Sequence, residues 1–224
     1  MNILPTSTIS RKILMAVSGQ ILVFFIIFHI VGNSTIFFHL LNAYVVGLHH
    51  LTLLVWGGRL VLIAALTIHI YYGIALKLEN YVAKPRAYAV SRFRQATFSG
   101  RYQIWTGTAV LAFLIYHLLQ FTFLLLIDPA IAPVSHPDAM GRPDVFTMVV
   151  RSFQELGIVL AYIIALGALM MHLLHGIQSS FQTWGLTSET TLPMIEKSGA
   201  FASIMLFLWY CAIPCVIVVG LLKG

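Results

Sequence analysis

Five apolar runs, each more than twenty residues long and separated by stretches that hold most of the charge, constrain this chain more than any single motif does. A helix needs roughly 20 apolar residues to cross the hydrocarbon core of a bilayer. The runs read as helices over about residues 11–33, 49–78, 102–127, 148–184 and 196–222. The expected fold class is therefore all-α: an integral membrane protein of five transmembrane helices, with residues 1–224 forming a single domain. Composition points the same way, since 59% of residues are hydrophobic and only 9% charged, against about 25% charged in soluble domains. The first run is longer than the apolar core of a signal peptide, and no small-x-small cleavage site follows it, so it is read as a helix.

The sequence pI of about 9.5 would suit a nucleic-acid partner, but the positive charge is confined to the loops, so none is expected. In a membrane chain that charge reports topology instead. Lys77, Lys84, Arg86, Arg92, Arg94 and Arg101 stand against Glu79 alone in the loop after the second run. Positive loops stay inside. This loop and the N-terminus, with Arg11 and Lys12, are therefore expected in the cytoplasm of a bacterial or archaeal cell, beneath a multi-pass chain in its cytoplasmic membrane. The segment with Pro133, Pro137 and Pro143, where Asp128, Asp138 and Asp144 outnumber Arg142, suits the outer side. Cys211 and Cys215 lie one helical turn apart in the last run, and no CxxC, CxxCH or zinc-ligand spacing occurs. Covalent c-type haem attachment is excluded.

Four of the runs carry a histidine well inside: His29, His69, His117 and, in Met171-His172-Leu173-Leu174-His175-Gly176, a choice of two on one helix face. Imidazole is costly in lipid unless it has a partner. At 1.5 Å per residue, His29 lies roughly 27 Å from Arg11 and His117 roughly 24 Å from Arg101, both toward the outer leaflet. His69 lies roughly 12 Å from Lys77 and His172 roughly 19 Å from the end of its run at Trp184-Gly185, in the inner half. In an up-down bundle the first and third helices are diagonal, and so are the second and fourth. Each equal-depth pair then faces its mate across the bundle axis, as a bis-histidine haem requires. The expectation is a haem-binding four-helix bundle with a fifth helix beside it, holding two b haems. Gly32, Gly73, Gly107 and Gly176 are candidates to let a porphyrin edge approach the backbone. Arg59, a charge inside the second run, is a candidate to hold a haem propionate or to snorkel to headgroups.

These residues carry a resemblance. The chain resembles, over nearly its whole length, the five-helix dihaem cytochrome b membrane anchors of succinate dehydrogenases and quinol:fumarate reductases. The marks are His29-Ile-Val-Gly-Asn33, His69 with Gly73, Thr106-Gly107 with His117, and His172 with Gly176 and Trp184-Gly185. The resemblance implies that His29 and His117 are axial ligands of the distal haem iron, and His69 and His172 of the proximal one. It favours His172 over His175, because the ligand in related chains lies four residues before the glycine. His175 is left as a candidate for a propionate. The implied function is electron transfer between a quinone, menaquinone by preference, and flavoprotein and iron–sulfur subunits docked on the basic cytoplasmic face. Dicarboxylate chemistry would belong to those partners, since this chain has no flavin motif, cluster cysteines or nucleophile arrangement.

For quinone, the outer end offers His49, His50, Arg151 and Glu155, and the inner end Ser91, Arg94, Arg101 and Gln103. Two haems are needed to carry an electron across the membrane only if quinone reacts on the side away from the partners. The outer set, with His50, Arg151 and Glu155, is therefore expected. Two other readings compete. One is the cytochrome b of another respiratory complex, such as a hydrogenase or formate dehydrogenase. The other is a haem-free transporter with relay histidines, against which stands the lack of a carboxylate in the middle of any run.

Overall fold

The computed structural model describes residues 7–83, 98–133 and 136–223. Helix α1 (Thr8–Asn33) continues into a 3-10 turn (Ser34–Phe38) and is followed by α2 (Leu41–His50) and α3 (Thr52–Val82). Next come the short α4 (Phe98–Arg101) and α5 (Gln103–His117), the latter running on as a π-helical turn (Leu118–Thr122). A 3-10 turn (Pro129–Ile131), α6 (Val145–Gln154), α7 (Leu156–Thr183) and α8 (Leu192–Val218) complete the order. Five helical stretches are long and apolar enough to cross a membrane: Thr8–Phe38, Thr52–Val82, Gln103–Thr122, Leu156–Thr183 and Leu192–Val218. The basic residues Lys84, Arg86, Arg92 and Arg94, with Ser91, lie outside the described residues.

Local chemistry sets the ends. Ser7 caps α1 by accepting the Ser10 amide at 3.2 Å, the usual remedy for an orphan N–H at a helix start. Helix α7 closes on Gly185 and α8 on Gly220, both at positive φ, the left-handed position that glycine fills without a Cβ clash. Three departures from the continuous apolar runs have local causes. The second run breaks at Leu51 (φ −93°, ψ 45°), so His49 and His50 end a separate helix, α2. The fourth run breaks where Glu155 turns extended (φ −80°, ψ 109°), which detaches the amphipathic α6 from α7. The third run stops at Thr122 rather than near 127, because Leu124 adopts a positive φ of 56° and the Leu125 amide turns back to the Leu119 carbonyl at 2.8 Å.

The long helices alternate in direction. At the near end, Arg11 of α1 is paired with Glu79 of α3, and Gln178 of α7 donates to Glu196 of α8 at 2.8 Å. Toward the same end, Gln20 of α1 donates to Ser180 of α7 at 2.6 Å. In the far half, Trp209 of α8 donates to Ser34 Oγ at 2.8 Å and Tyr210 to the Ile26 carbonyl at 2.7 Å. Helix α1 packs against α3 and α7, α5 packs mainly against α7, and α8 lies against α7 and α1. Thus α1 and α5 are diagonal, as are α3 and α7. The apolar core, with Ile30, Val150, Val159, Tyr162 and Ile217, gathers in the far half beneath α6. Outward faces such as Leu53, Leu60 and Ile63 of α3 are exposed and apolar, the surface that acyl chains solvate.

A polar clasp fixes the far end. The buried Asn42 of α2 donates to Asp138 at 3.2 Å and to Asp144 at 3.0 Å, and its Oδ1 accepts the Phe146 amide at 2.8 Å. Arg142 completes the loop by donating to Asp138 Oδ2 at 2.8 Å. The Arg142 hydrogen bonds, joined by those from Asn42 and the Met140 amide, hold the Asp138 carboxyl at about 2. Burial works to raise Asp144, but hydrogen bonds from Asn42 and Thr147 outweigh it and leave it lowered. A depressed carboxyl stabilises the fold above its unfolded pKa of about 4, and that contribution is lost as pH falls through the folded value. Thermal melts in detergent should therefore show stability falling between about pH 4 and 2. Asn42→Ala should lower stability at neutral pH by about 1–3 kcal/mol, from the Phe146 amide left without its acceptor and the loss of one donor to each carboxylate.

Candidate functional site

The diagonal helices bring four imidazoles into two pairs. His29 of α1 and His117 of α5 have ring centroids 5.9 Å apart with planes at 88°. His69 of α3 and His172 of α7 are 6.1 Å apart at 71°. All four rings are half-buried. Gly19 faces the His69 ring and Gly107 the His172 ring. His29 and His117 each lie ten residues farther along the same two helices, so the levels are roughly 15 Å apart along the bundle. His69 and His172 form the near pair, His29 and His117 the far pair.

Neighbours fix which nitrogen carries the proton in three of the four rings. His69 Nδ1 lies 3.2 Å from the Met15 carbonyl oxygen, which can only accept, so the ring must be protonated on Nδ1. Thr106 uses its hydroxyl hydrogen on the Gln103 carbonyl at 3.1 Å. At 3.3 Å from His172 Nδ1 its oxygen is left to accept, and His172 is assigned the same tautomer. Tyr162 donates to Gln120 Oε1 at 2.9 Å and accepts from His117 Nδ1 at 3.1 Å. In three of the four rings, then, Nε2 keeps its lone pair. His29 is held differently, by stacking on Phe25 at 5.3 Å and Tyr210 at 6.4 Å, while Asn33 donates to its backbone carbonyl at 2.7 Å.

This arrangement suits a metal held between two imidazoles. Metal–nitrogen bonds of ~2 Å on opposite sides of one ion put ring centroids roughly 6 Å apart. Ligating histidines commonly donate their other N–H to a carbonyl or similar acceptor, which fixes the ring and raises its basicity. Glycine cradles the near pair. A Cβ on Gly19 would lie 3.1 Å from His69 Cε1, and one on Gly107 would lie 3.1 Å from His172 Cε1. Of the glycines expected beside the ligands, Gly107 does face a histidine. A Cβ on Gly32 would instead lie 2.4 Å from the Tyr44 hydroxyl, one on Gly73 meets nothing within 4 Å, and one on Gly176 approaches only the Gln103 amide at 3.9 Å. Gly32 therefore makes room for α2. Among the described residues no three His, Cys, Asp or Glu side chains gather as a metal cluster, so the chemistry offered is that of ligand pairs.

The remaining candidates are placed as follows. His175, one turn beyond His172, has a buried Nδ1 with no hydrogen-bond partner among the described residues, as does Gln103 Oε1. The Gln103 amide is 3.2 Å from the His172 carbonyl and 3.5 Å from its Nε2, the second at the limit of a hydrogen bond. Continuing the α1–α3 register set by Arg11–Glu79 and Gly19–His69 puts Arg59 at the level of His29. Its side chain, however, is exposed and stacks over Trp56 at 4.9 Å. His50 and Glu155 are exposed at the ends of α2 and α6, and His49 turns back to the Val45 carbonyl at 2.9 Å. Arg151 lines a far-end cavity of about 170 Å³ with Ala130, Ile131, His136, Asp144 and Thr147. His136, Tyr162, Gln120, Gly19 and the Met15 carbonyl are additions that the sequence reading did not single out. Gly19 alone left a signal, the ten-residue spacing to His29 that repeats between Gly107 and His117.

A scan against protein-family models, a search of curated proteins and a search of solved structures each gave no match. Gly19→Val or Gly107→Val should displace its facing imidazole and lower stability by about 1–3 kcal/mol, whereas Gly73→Val, which meets open space, should not. Thermal melts of the purified variants check this; equal loss in all three would remove the cradle.

Proposed function

We propose that this chain is a membrane-anchor cytochrome b carrying two b haems. In this reading it conducts electrons between a quinone and the flavoprotein and iron–sulfur subunits of a succinate:quinone or quinol:fumarate oxidoreductase. The observation that carries the reading is the pair of diagonal histidine couples, each with centroids about 6 Å apart and three of the four rings assigned as Nδ1 donors whose Nε2 keeps its lone pair. A transporter with relay histidines would gain nothing from closing three Nδ1 atoms on fixed acceptors, since a relay needs both nitrogens in play. The choice of this complex over other respiratory ones rests on the resemblance of His29–Asn33, His69 with Gly73, Thr106-Gly107 with His117, and His172 with Gly176.

Two residues would hold each haem, and when bound it would supply a one-electron ferric/ferrous couple for electron transfer. The chain's own residues do the rest. His69 and His172 hold the near group, His29 and His117 the far group. The bundle excludes water from both by the apolar walls of α1, α3, α5 and α7. The near end carries Arg11, Lys12, Lys77 and Arg101, a positive surface for the partner subunits on the cytoplasmic side. Menaquinone is proposed to react at the far end. There Arg151, with His136 in the same cavity, supplies hydrogen-bond donors for a ring oxygen, and the exposed His50 and Glu155 serve as proton carriers. His175 and Arg59 are the proposed propionate partners, the second requiring its side chain to leave Trp56.

A pyridine haemochrome assay on the purified complex should give two b haems per chain, and none would overturn the reading. His29→Ala or His117→Ala should remove one, His69→Ala or His172→Ala the other, and His175→Ala neither. His50→Ala and Arg151→Ala should slow quinone-linked turnover by roughly ten-fold or more, leaving dye-linked activity of the partner subunits and haem content unchanged. Unaltered quinone turnover in both would move the quinone site elsewhere.

A further inference from the structure

The ring that closes the far pair is held by a side-chain relay rather than by backbone. His117 is the last residue of α5, and the helix widens immediately after it into the π turn Leu118–Thr122, closed by the Phe123 amide on the Leu118 carbonyl at 2.8 Å. π turns are rare and concentrate at functional positions because they re-aim the side chains within them. The side chain in question is Gln120, which is only 1% exposed. A buried amide in an apolar bundle is costly unless it is engaged, and its Oε1 is engaged by the Tyr162 hydroxyl of α7. Tyr162 is itself enclosed by Phe113, Tyr116, Phe121 and Phe153, with ring centroids 4.8–6.2 Å away. The aromatic cage holds the ring in place, and the Gln120 carbonyl takes the hydroxyl hydrogen, which leaves the phenol lone pair to receive the His117 Nδ1–H.

Resting on the reading of His117 as a haem ligand, we propose that Gln120 and Tyr162 are positioning residues. They lock the Nδ1 tautomer of His117 and set the reduction potential of the far-pair haem separately from the near one. The physical reason is directional. Gln120 takes up the tyrosine hydrogen, so the phenol cannot turn and donate to Nδ1, which would put the ring proton on Nε2 and disable it as a ligand. Donation from Nδ1–H to the phenol oxygen makes the imidazole a better electron donor, which favours the ferric over the ferrous state. The near pair relies on other acceptors, the Met15 carbonyl and Thr106, so changing the relay leaves it alone.

The test uses the full complex purified with its haems and partner subunits, read by redox titration and low-temperature EPR. Tyr162→Phe removes the acceptor while keeping the ring. One of the two haem midpoints should rise, by about ten-fold in the ferric/ferrous affinity ratio, or ~59 mV for a one-electron couple. The same haem's low-spin EPR signal should move, and it should be the haem that His117→Ala removes. Gln120→Leu should perturb that haem too, by shifting its potential or by reducing its occupancy, whereas Gln120→Glu, which keeps a carbonyl acceptor, should stay close to the parent. An unchanged midpoint in Tyr162→Phe would overturn the relay, as would an equal shift of both haems or identical behaviour of Gln120→Leu and Gln120→Glu. If Tyr162→Phe loses the far haem outright, the Gln120→Leu and Gln120→Glu comparison decides. A parent complex without haem would instead defeat the underlying reading, so the two failures are distinct.

Discussion

A neutral imidazole has one nitrogen that donates and one that accepts, and in lipid there is no water to serve either. That constraint organises this bundle. The chain closes the donor nitrogen of His69, His117 and His172 with its own acceptors and thereby leaves the opposite nitrogen of each ring rich in electrons. In the near pair both members are of this kind, and two acceptors cannot satisfy each other. Among the described residues, the donor that approaches them is the Gln103 amide, 3.5 Å from His172 Nε2. In the proposed reading, the partner for this polarity is a metal ion held between the two rings rather than a transported proton.

The backbone is arranged to allow it. Helices α1 and α5 are diagonal, yet each contributes to both levels: a glycine at the near level and a histidine ten residues later at the far one. Gly19 and Gly107 let α1 and α5 come within van der Waals reach of imidazoles carried by α3 and α7, where any Cβ would stand 3.1 Å from a ring carbon. A substitution there would force the ring off its acceptor, so close packing and tautomer control at the near level depend on the same two positions. Gly32 shows that such glycines need not serve one purpose, since what it admits is the Tyr44 hydroxyl of α2.

What could be read in advance follows from which signals are periodic. Five long apolar runs specify five helices, and counting residues from the charged ends is enough to rank His29 and His117 as one level and His69 and His172 as another. Junctions are another matter. The breaks at Leu51 and Glu155 hold no Pro, and the polar residues beside them, His49 and His50 at one and Arg151, Ser152 and Gln154 at the other, equally suit the interfacial end of a continuous helix, so α2 and α6 merge with their neighbours on paper. The π turn after His117 is equally silent, because Leu118–Thr122 is apolar enough to continue an α-helix. Hydrogen-bond acceptors are the least legible. The Met15 carbonyl belongs to every residue type, and Tyr162 lies forty-five residues from the ring it holds. Arg59 shows the limit of depth as a guide: the level follows from counting, but the rotation of the side chain toward Trp56 does not.

The two levels also differ in how firmly they are tied. Near-pair acceptors are a main-chain carbonyl and a threonine fixed to its own helix, which can move only with α1 and α5. At the far level His117 depends on a phenol and a buried amide, and His29 on the stacked rings of Phe25 and Tyr210. Tyr210 belongs to α8, a helix with no histidine of its own. Its hydroxyl donates to the Ile26 carbonyl one turn before His29, while the adjacent Trp209 donates to Ser34 one turn beyond. These two bonds bracket His29 and pin α8 along the stretch of α1 that carries the ring. The fifth span thus supports the far pair from outside the four-helix frame: removing it would leave the near pair's acceptors in place and leave His29 with Phe25 alone of the two rings it stacks against.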